Sequence, residues 1–255
     1  MAAIQTVFRR YELKYLLTPS QKAAVLDAFR DRMALDRWGR TTIRNLYFDT
    51  EHNRLIRESI ERPVYKEKLR IRSYRPAAPE DPVFVELKKK YKGVVYKRRL
   101  VMPAEHALDW LADGHPPAIH TQIEAEIEYF RRFYATLRPA VFLSYEREAY
   151  APLPDADLGL LCGESAFRVT FDEKILARSA ALSLGAEVGG RPLLEPGMTL
   201  MEIKTAGGIP LWMVDVLTRE EIRKVSFSKY GTYYRLSRAA NDRPEEAAQE
   251  ELIGG

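Results

Sequence analysis

Six segments of this chain combine strand-like apolar alternation with chemically marked residues spaced two apart. Glu12 and Lys14 sit in RRYELKYLL, Arg70 and Arg72 in YKEKLRIRSY, and Glu86 and Lys88 in VFVELKKK. Tyr145 and Arg147 sit in AVFLSYEREAY, Arg168 and Thr170 in FRVTFDEK, and Glu202 and Lys204 in TLMEIKTA. Side chains alternate across a strand, so each couple shares a face. In VFVELKKK, Val83, Val85 and Leu87 oppose Phe84, Glu86 and Lys88. In TLMEIKTA, Met201, Ile203 and Thr205 oppose Leu200, Glu202 and Lys204. An open sheet with helices on one side would leave the charged face in water. These faces, however, are rich in Arg and Glu rather than in the Thr, Lys and Ser of many wet faces. Closure of about eight strands into a barrel would turn the charged face inward, where charges must pair or meet a charged ligand.

The order of elements points to the class. Strands are expected over 5–16, 41–50, 64–75, 81–90, 93–102, 139–150, 165–173 and 197–206. Helices are expected after Thr18-Pro19, over 121–137, after Pro210 and from about Ser228, with HNRLIRESIER open between helix and strand. Residues 178–197 read as a loop. Most strand connections are short, which favours antiparallel pairing, and no alternating βαβα order appears. The class is α+β with a largely antiparallel sheet. One domain is expected over 1–240, followed by a polar, disordered tail over 241–255.

Hydrophobic residues make up 46% of the 255, enough for a core, and the net charge of +4 is too mild to name a nucleic-acid partner. A basic surface interleaved with aromatics, as single-strand binders use, is also absent. The single cysteine, Cys162, excludes an internal disulfide and fits a reducing cytoplasm. Neither a signal peptide nor a spanning segment is expected, so any membrane role would be peripheral and run through a membrane-protein partner. His52, His106, His115 and His120 lack metal-ligand spacing. No GxxxxGK[ST], GxGxxG or HExxH motif occurs.

The inward basic set by parity is Lys14, Arg70, Arg72, Lys88, Arg147, Arg168 and Lys204, joined by Lys229. Its acidic counterpart is Glu12, Glu86, Asp172 and Glu202. Bases outnumber acids, which suits a polyanion, and guanidinium forks match phosphate oxygens. Glu12, Glu86 and Glu202 are the candidates to hold a hard divalent cation bridging phosphates, while Asp172 is read as orienting an arginine. In the KRRL segment, Lys97 and Arg99 share one parity and Arg98 the other; Lys97 and Arg99 are favoured to face inward. Lys89, Lys90 and Lys92 read as a solvated turn cluster.

The segments RRYELKYLL, NLYFDT, KLRIRSY, VFVELKKK, FLSYEREAY, FRVTFDEK, LMEIKT and FSKYGTYY follow one another as in VTC-domain proteins. The chain thus resembles, over about residues 5–238, the polyphosphate polymerase domains related to the catalytic subunit of the fungal vacuolar transporter chaperone. These belong to the CYTH, or triphosphate tunnel metalloenzyme, superfamily. The resemblance implies an antiparallel eight-stranded β-barrel tunnel, with helices packed outside, that binds ATP, polyphosphate or pyrophosphate with Mn²⁺ or Mg²⁺. It implies transfer of the ATP γ-phosphate to a growing polyphosphate chain. Lys14, Arg70, Arg72, Lys88, Arg147 and Arg168 would line the phosphate path, with Lys97, Arg99, Tyr145, Lys204 and Lys229 as further phosphate contacts and Glu202 as the metal-binding glutamate. One departure stands out: the fungal pattern has a lysine three residues before the FSK lysine, where this chain has Ser226. A triphosphatase or polyphosphatase of the same fold and a non-catalytic polyphosphate-binding module are the alternative functions.

Overall fold

The structure, a computed structural model, describes residues 11–61, 63–92, 94–154 and 167–240. Ten strands form one antiparallel sheet: β1 (Tyr11–Leu17), β2 (Met33–Leu35), β3 (Thr41–Asp49), β4 (Tyr65–Ser73), β5 (Pro82–Tyr91), β6 (Val94–Pro103), β7 (Arg138–Pro152), β8 (Arg168–Arg178), β9 (Arg191–Pro192) and β10 (Thr199–Thr205). Eight of them run in the order β1-β10-β8-β7-β3-β4-β5-β6, and the short β2 and β9 attach to β7 and β8. The expected eight-strand path is present, with one correction: its hydrogen-bonded ladder does not close. β1 and β6 end the path and do not pair with each other among the described residues. The outer edge of β1 is instead met by residues 224–225, through a bridge between Tyr15 and Lys224 and the Val225 amide donating to the Lys14 carbonyl. Across the remaining gap, Lys88 of β5 reaches Glu12 of β1 at 3.0 Å. Cys162 and the tail over 241–255 lie outside the described residues.

Most apolar strand residues point outward, beneath helices, whereas Ile43, Val141, Leu143 and Leu200 share the inward faces with Tyr47, Tyr145 and Glu202 and form a third core with Ile56, Tyr230 and Tyr233. One outer core joins Leu69, Ile71, Val83, Val85 and Leu87 to Trp110, Ile127 and Phe130. The last three come from a π-helical turn, Asp109–Asp113, that continues α3 (Ala104–Leu108), and from α4 (Gln122–Phe133). A second outer core joins Met201, Ile203, Val169 and Phe171 to α1 (Pro19–Phe29) and α5 (Leu211–Arg219). Helices α1 and α4 start where the sequence places them because Thr18 and Thr121 close reciprocal capping boxes with Gln21 and Glu124. With helices taking the apolar faces, the charged faces are left to look at one another.

The ambiguous segment after β3 is a helix, α2 (Arg54–Ile60). Its N-cap, Asn53, makes no side-chain cap; Asp49, the last residue of β3, does that work. The Asp49 carboxylate accepts from the amides of Thr50, Leu55 and Ile56 at 2.8–3.0 Å. It also accepts from the Tyr230 hydroxyl at 2.9 Å. Tyr230 lies in the last helix, α6, residues 229–240. One buried carboxylate therefore pins two helices, and α6 carries Lys229 into the interior. Tyr230→Phe removes one donor from a fully buried acid and should lower stability by about 2 kcal/mol in urea denaturation with an unchanged m-value.

Candidate functional site

Strands β3 to β6 supply one wall of the interior. Their register places Tyr47, Arg70, Glu86 and Arg99 in one row, each directly opposite the next. Glu86, 1% exposed, is the hub of that row. Arg70 Nε donates to it at 2.8 Å, Arg99 Nε at 2.8 Å, and Lys97 Nζ lies at 2.6 Å. Arg72 stands at 3.8 Å and is steered by Asn45, whose side-chain oxygen accepts from its Nε at 3.0 Å. Burial would raise the Glu86 carboxyl, but Arg70, Arg72, Lys97 and Arg99 hold it far below the usual carboxylate range. Tyr47 accepts from Arg70 Nη1 at 2.8 Å and Tyr145 accepts from Arg72 at 3.4 Å, so two phenols finish the ordering of the arginines.

Strands β7, β8, β10 and β1 supply the opposite wall, organised about two acids. Asp172 holds Arg147 in a two-point fork, at 2.5 and 2.6 Å, as expected of an acid that orients an arginine. Lys229 lies 2.5 Å from Asp172 and 3.2 Å from Glu202. Lys14 lies 3.3 Å from Glu202, directly opposite it in the β1–β10 ladder. Burial opposes charge on Lys229, yet Asp172 and Glu202 raise its ammonium above the ordinary lysine range. Lys204 is pushed down to about 8 by burial and by Arg147.

The two walls enclose a cavity of about 690 Å³. Eleven lysines and arginines line it, against two carboxylates, Glu12 and Glu202. A second cavity, about 810 Å³, adjoins it and shares Glu12, Lys14, Lys68 and Lys88. Of the residues singled out in the sequence, Lys14, Arg70, Arg72, Lys88, Lys97, Arg99, Tyr145, Arg147, Lys204, Lys229, Glu12 and Glu202 all line the first cavity. Two differ. Arg168 faces Lys204 in register, but its guanidinium is taken by Asp36 at 2.5 Å, and it lines neither cavity. Glu86 sits behind the arginines as their counter-ion and is not among the lining residues. Arg98 borders the cavity, but its Nε is drawn to Glu126 of α4 at 3.2 Å, so the inward donors of KRRL are those of Lys97 and Arg99.

Three features were missed. Lys68 lines both cavities, and parity with Arg70 and Arg72 was the signal for it. Tyr47 shares a face with Asn45 in NLYFDT. Lys90 and Lys92, exposed at the β5–β6 turn as expected, also line the second cavity, whereas Lys89 turns outward toward Glu126 at 3.5 Å. Ser226 lies on the second cavity too, where Lys66, Lys90, Lys92 and Lys224 supply the charge its position lacks.

A family model for the VTC domain matches residues 9–237. The chain belongs to the VTC domain family. No curated protein matches it. Among solved structures, a candidate adenylate cyclase from Bacillus halodurans is similar in fold, with 14% identity, a TM-score of 0.52, and coverage of 88% of this chain and 96% of that one. A candidate adenylyl cyclase from Hippeastrum, described as having a dominant triphosphatase activity, is 16% identical over 88% of this chain and 94% of its own, with a TM-score of 0.49. A candidate adenylate cyclase from Vibrio parahaemolyticus is 10% identical over 90% and 99%, with a TM-score of 0.46.

In this VTC domain the oxygen donors suit a hard cation of a particular kind. No group of three or more acidic, histidine or cysteine side chains gathers among the described residues. Glu202, with Glu12 on the neighbouring strand, offers carboxylates to the cavity. A divalent ion that keeps one or two protein carboxylates and takes its other ligands from phosphate oxygens fits that set.

Glu86→Gln leaves four cations around a neutral amide. We expect a loss of about 3 kcal/mol in chemical denaturation. Inorganic tripolyphosphate should restore more stability to this variant than it adds to the wild type.

Proposed function

We propose that this VTC domain is a metal-dependent polyphosphate polymerase, transferring the γ-phosphate of ATP to a growing polyphosphate chain. The observation that carries this reading is the interior: eleven cations against two carboxylates, opening into a second cavity lined by further lysines. Such a surplus calls for a polyanion, and phosphoryl transfer asks a protein chiefly for positioning and charge neutralisation. Arg70, Arg72, Arg99 and Arg147 are locked by buried acids and phenols, so they present fixed forks to the reacting phosphates. In the reaction, a terminal oxygen of the chain attacks the γ-phosphorus. The bond from that phosphorus to the β–γ bridging oxygen breaks, and ADP leaves with the electron pair. A bound Mn²⁺ or Mg²⁺, held by Glu202 with Glu12 nearby, would add neutralisation of the phosphate oxygens.

The second cavity favours a polymer over a lone triphosphate, because it extends the basic path beyond the arginine cage. A hydrolase of the same fold would use the same cage with water as the nucleophile. A binding module would use it without turnover. No helix among the described residues is long and apolar enough to cross a membrane.

Purified protein with ATP and Mn²⁺ or Mg²⁺ should yield ADP and long-chain polyphosphate. Inorganic phosphate as the main product would favour the hydrolase, and polyphosphate binding without turnover the module; either result sinks the polymerase. Arg70→Ala should cut kcat at least about 100-fold with an unchanged far-ultraviolet circular dichroism spectrum.

A further inference from the structure

The strand register brings three lysines into one row. Lys68 of β4 is directly opposite Lys88 of β5, which is directly opposite Lys97 of β6. Like charges in opposed positions destabilise a sheet unless something neutralises them. Lys88 has Glu12, and Lys97 has Glu86. Lys68 has neither. Of the eleven cations lining the first cavity, it alone has no carboxylate within salt-bridge distance among the described residues. Its one hydrogen-bond partner there is the Ser228 hydroxyl, at 3.0 Å. That hydroxyl also accepts the Gly231 amide at the start of α6, at 3.2 Å, which leaves its own proton free to donate.

Lys68 and Ser228 both line both cavities, so they mark the junction between them. The junction also lies on a rail. Lys66, Lys68, Arg70 and Arg72 share one face of β4 and span about 20 Å from the second cavity into the arginine cage. The charged groups that bear most on Lys68 have roles of their own. Lys14 on β1 is held by Glu202, Glu12 by Lys88, and Arg70 by Glu86, while Lys66 donates to the Ser59 carbonyl at 3.0 Å.

We propose that Lys68 and Ser228 form a phosphate subsite at the junction of the two cavities, and that a phosphate bound there brings a proton with it onto Lys68. This rests on the cavities being a polyphosphate path, and it does not depend on which reaction occurs in them. Burial, then Lys14, Lys88, Lys66 and Arg70, push the free Lys68 ammonium down to about 7. A lowered amine is largely neutral above that pH. An anion beside it favours the charged form, so binding takes up a proton, and affinity falls as the pH rises above about 7. The wall is thereby spared an unneutralised charge until the phosphate chain arrives.

The test is calorimetric titration with long-chain inorganic polyphosphate, without ATP or metal, in buffers of differing ionisation enthalpy. At about pH 8, above the Lys68 transition, the wild type should take up protons. Lys68→Arg carries a permanent charge, so it should bind with much of that uptake removed. Lys68→Met should bind about tenfold more weakly or worse. Lys97→Arg is the control, because Lys97 is also lowered to about 7, by burial, and it faces the same cavity. Absence of uptake or of binding in the wild type, or uptake that survives Lys68→Arg and vanishes in Lys97→Arg, would overturn the subsite. Circular dichroism of each variant separates misfolding from loss of the site. Polymer synthesis is not measured, so a failed polymerase assay and a failed proton linkage are separate results.

Discussion

The interior depends on buried carboxylates that gather cations. Glu86 collects Arg70, Arg72, Lys97 and Arg99 on one wall; Asp172 and Glu202 collect Arg147, Lys14, Lys204 and Lys229 on the other. Without those acids, the cations would repel one another and seek water. With them, each guanidinium or ammonium stands at a set position while the wall as a whole keeps a positive surplus. The carboxylates organise the site; the surplus recognises the ligand.

That arrangement requires an inverted sheet. Apolar residues of β4, β5, β8 and β10 look outward, and α1, α3, α4 and α5 cover them. The interior is polar around the cavity, while Ile43, Val141, Leu143 and Leu200 face inward and pack with Ile56, Tyr230 and Tyr233. Asp49 joins helices to site: it caps α2 and holds Tyr230, and the helix containing Tyr230 presents Lys229 to Asp172 and Glu202. The gap between β1 and β6 is met by residues 224–228 and by Lys88 reaching Glu12, so the wall is completed by side chains and one crossing segment rather than by a ladder.

Much of the site was legible because strand parity is a hard rule. Glu86 opposite Val85, Arg70 beside Leu69 and Glu202 beside Ile203 each declare two faces, and the structure puts the charged ones inside. The same rule reaches Lys68, which shares the parity of Arg70 and Arg72, and Lys90, which shares that of Lys88 but sits in a run of lysine beside a turn. Arg168 shows the limit of parity: it shares the inward face with Lys204, yet its long side chain reaches Asp36 instead. Helices α3 and α2 were respectively unforeseen and ambiguous. The first is a short turn that continues into a π-helical stretch, and the second is capped by a residue outside the helix, so neither carries a clear local start signal.

The amino-acid sequence by itself determined that two chemically opposed faces exist, which residues belong to each, and that the charged one carries an excess of base. It did so because alternation is a local property of an extended backbone. Only the tertiary structure decided which way the faces point, that the ladder stays open, and that Lys68 is left without an acid while its neighbours find one. Those outcomes depend on contacts between residues far apart in the chain, such as Lys88 with Glu12, Arg147 with Glu202 and Lys68 with Ser228. No local pattern encodes their distances.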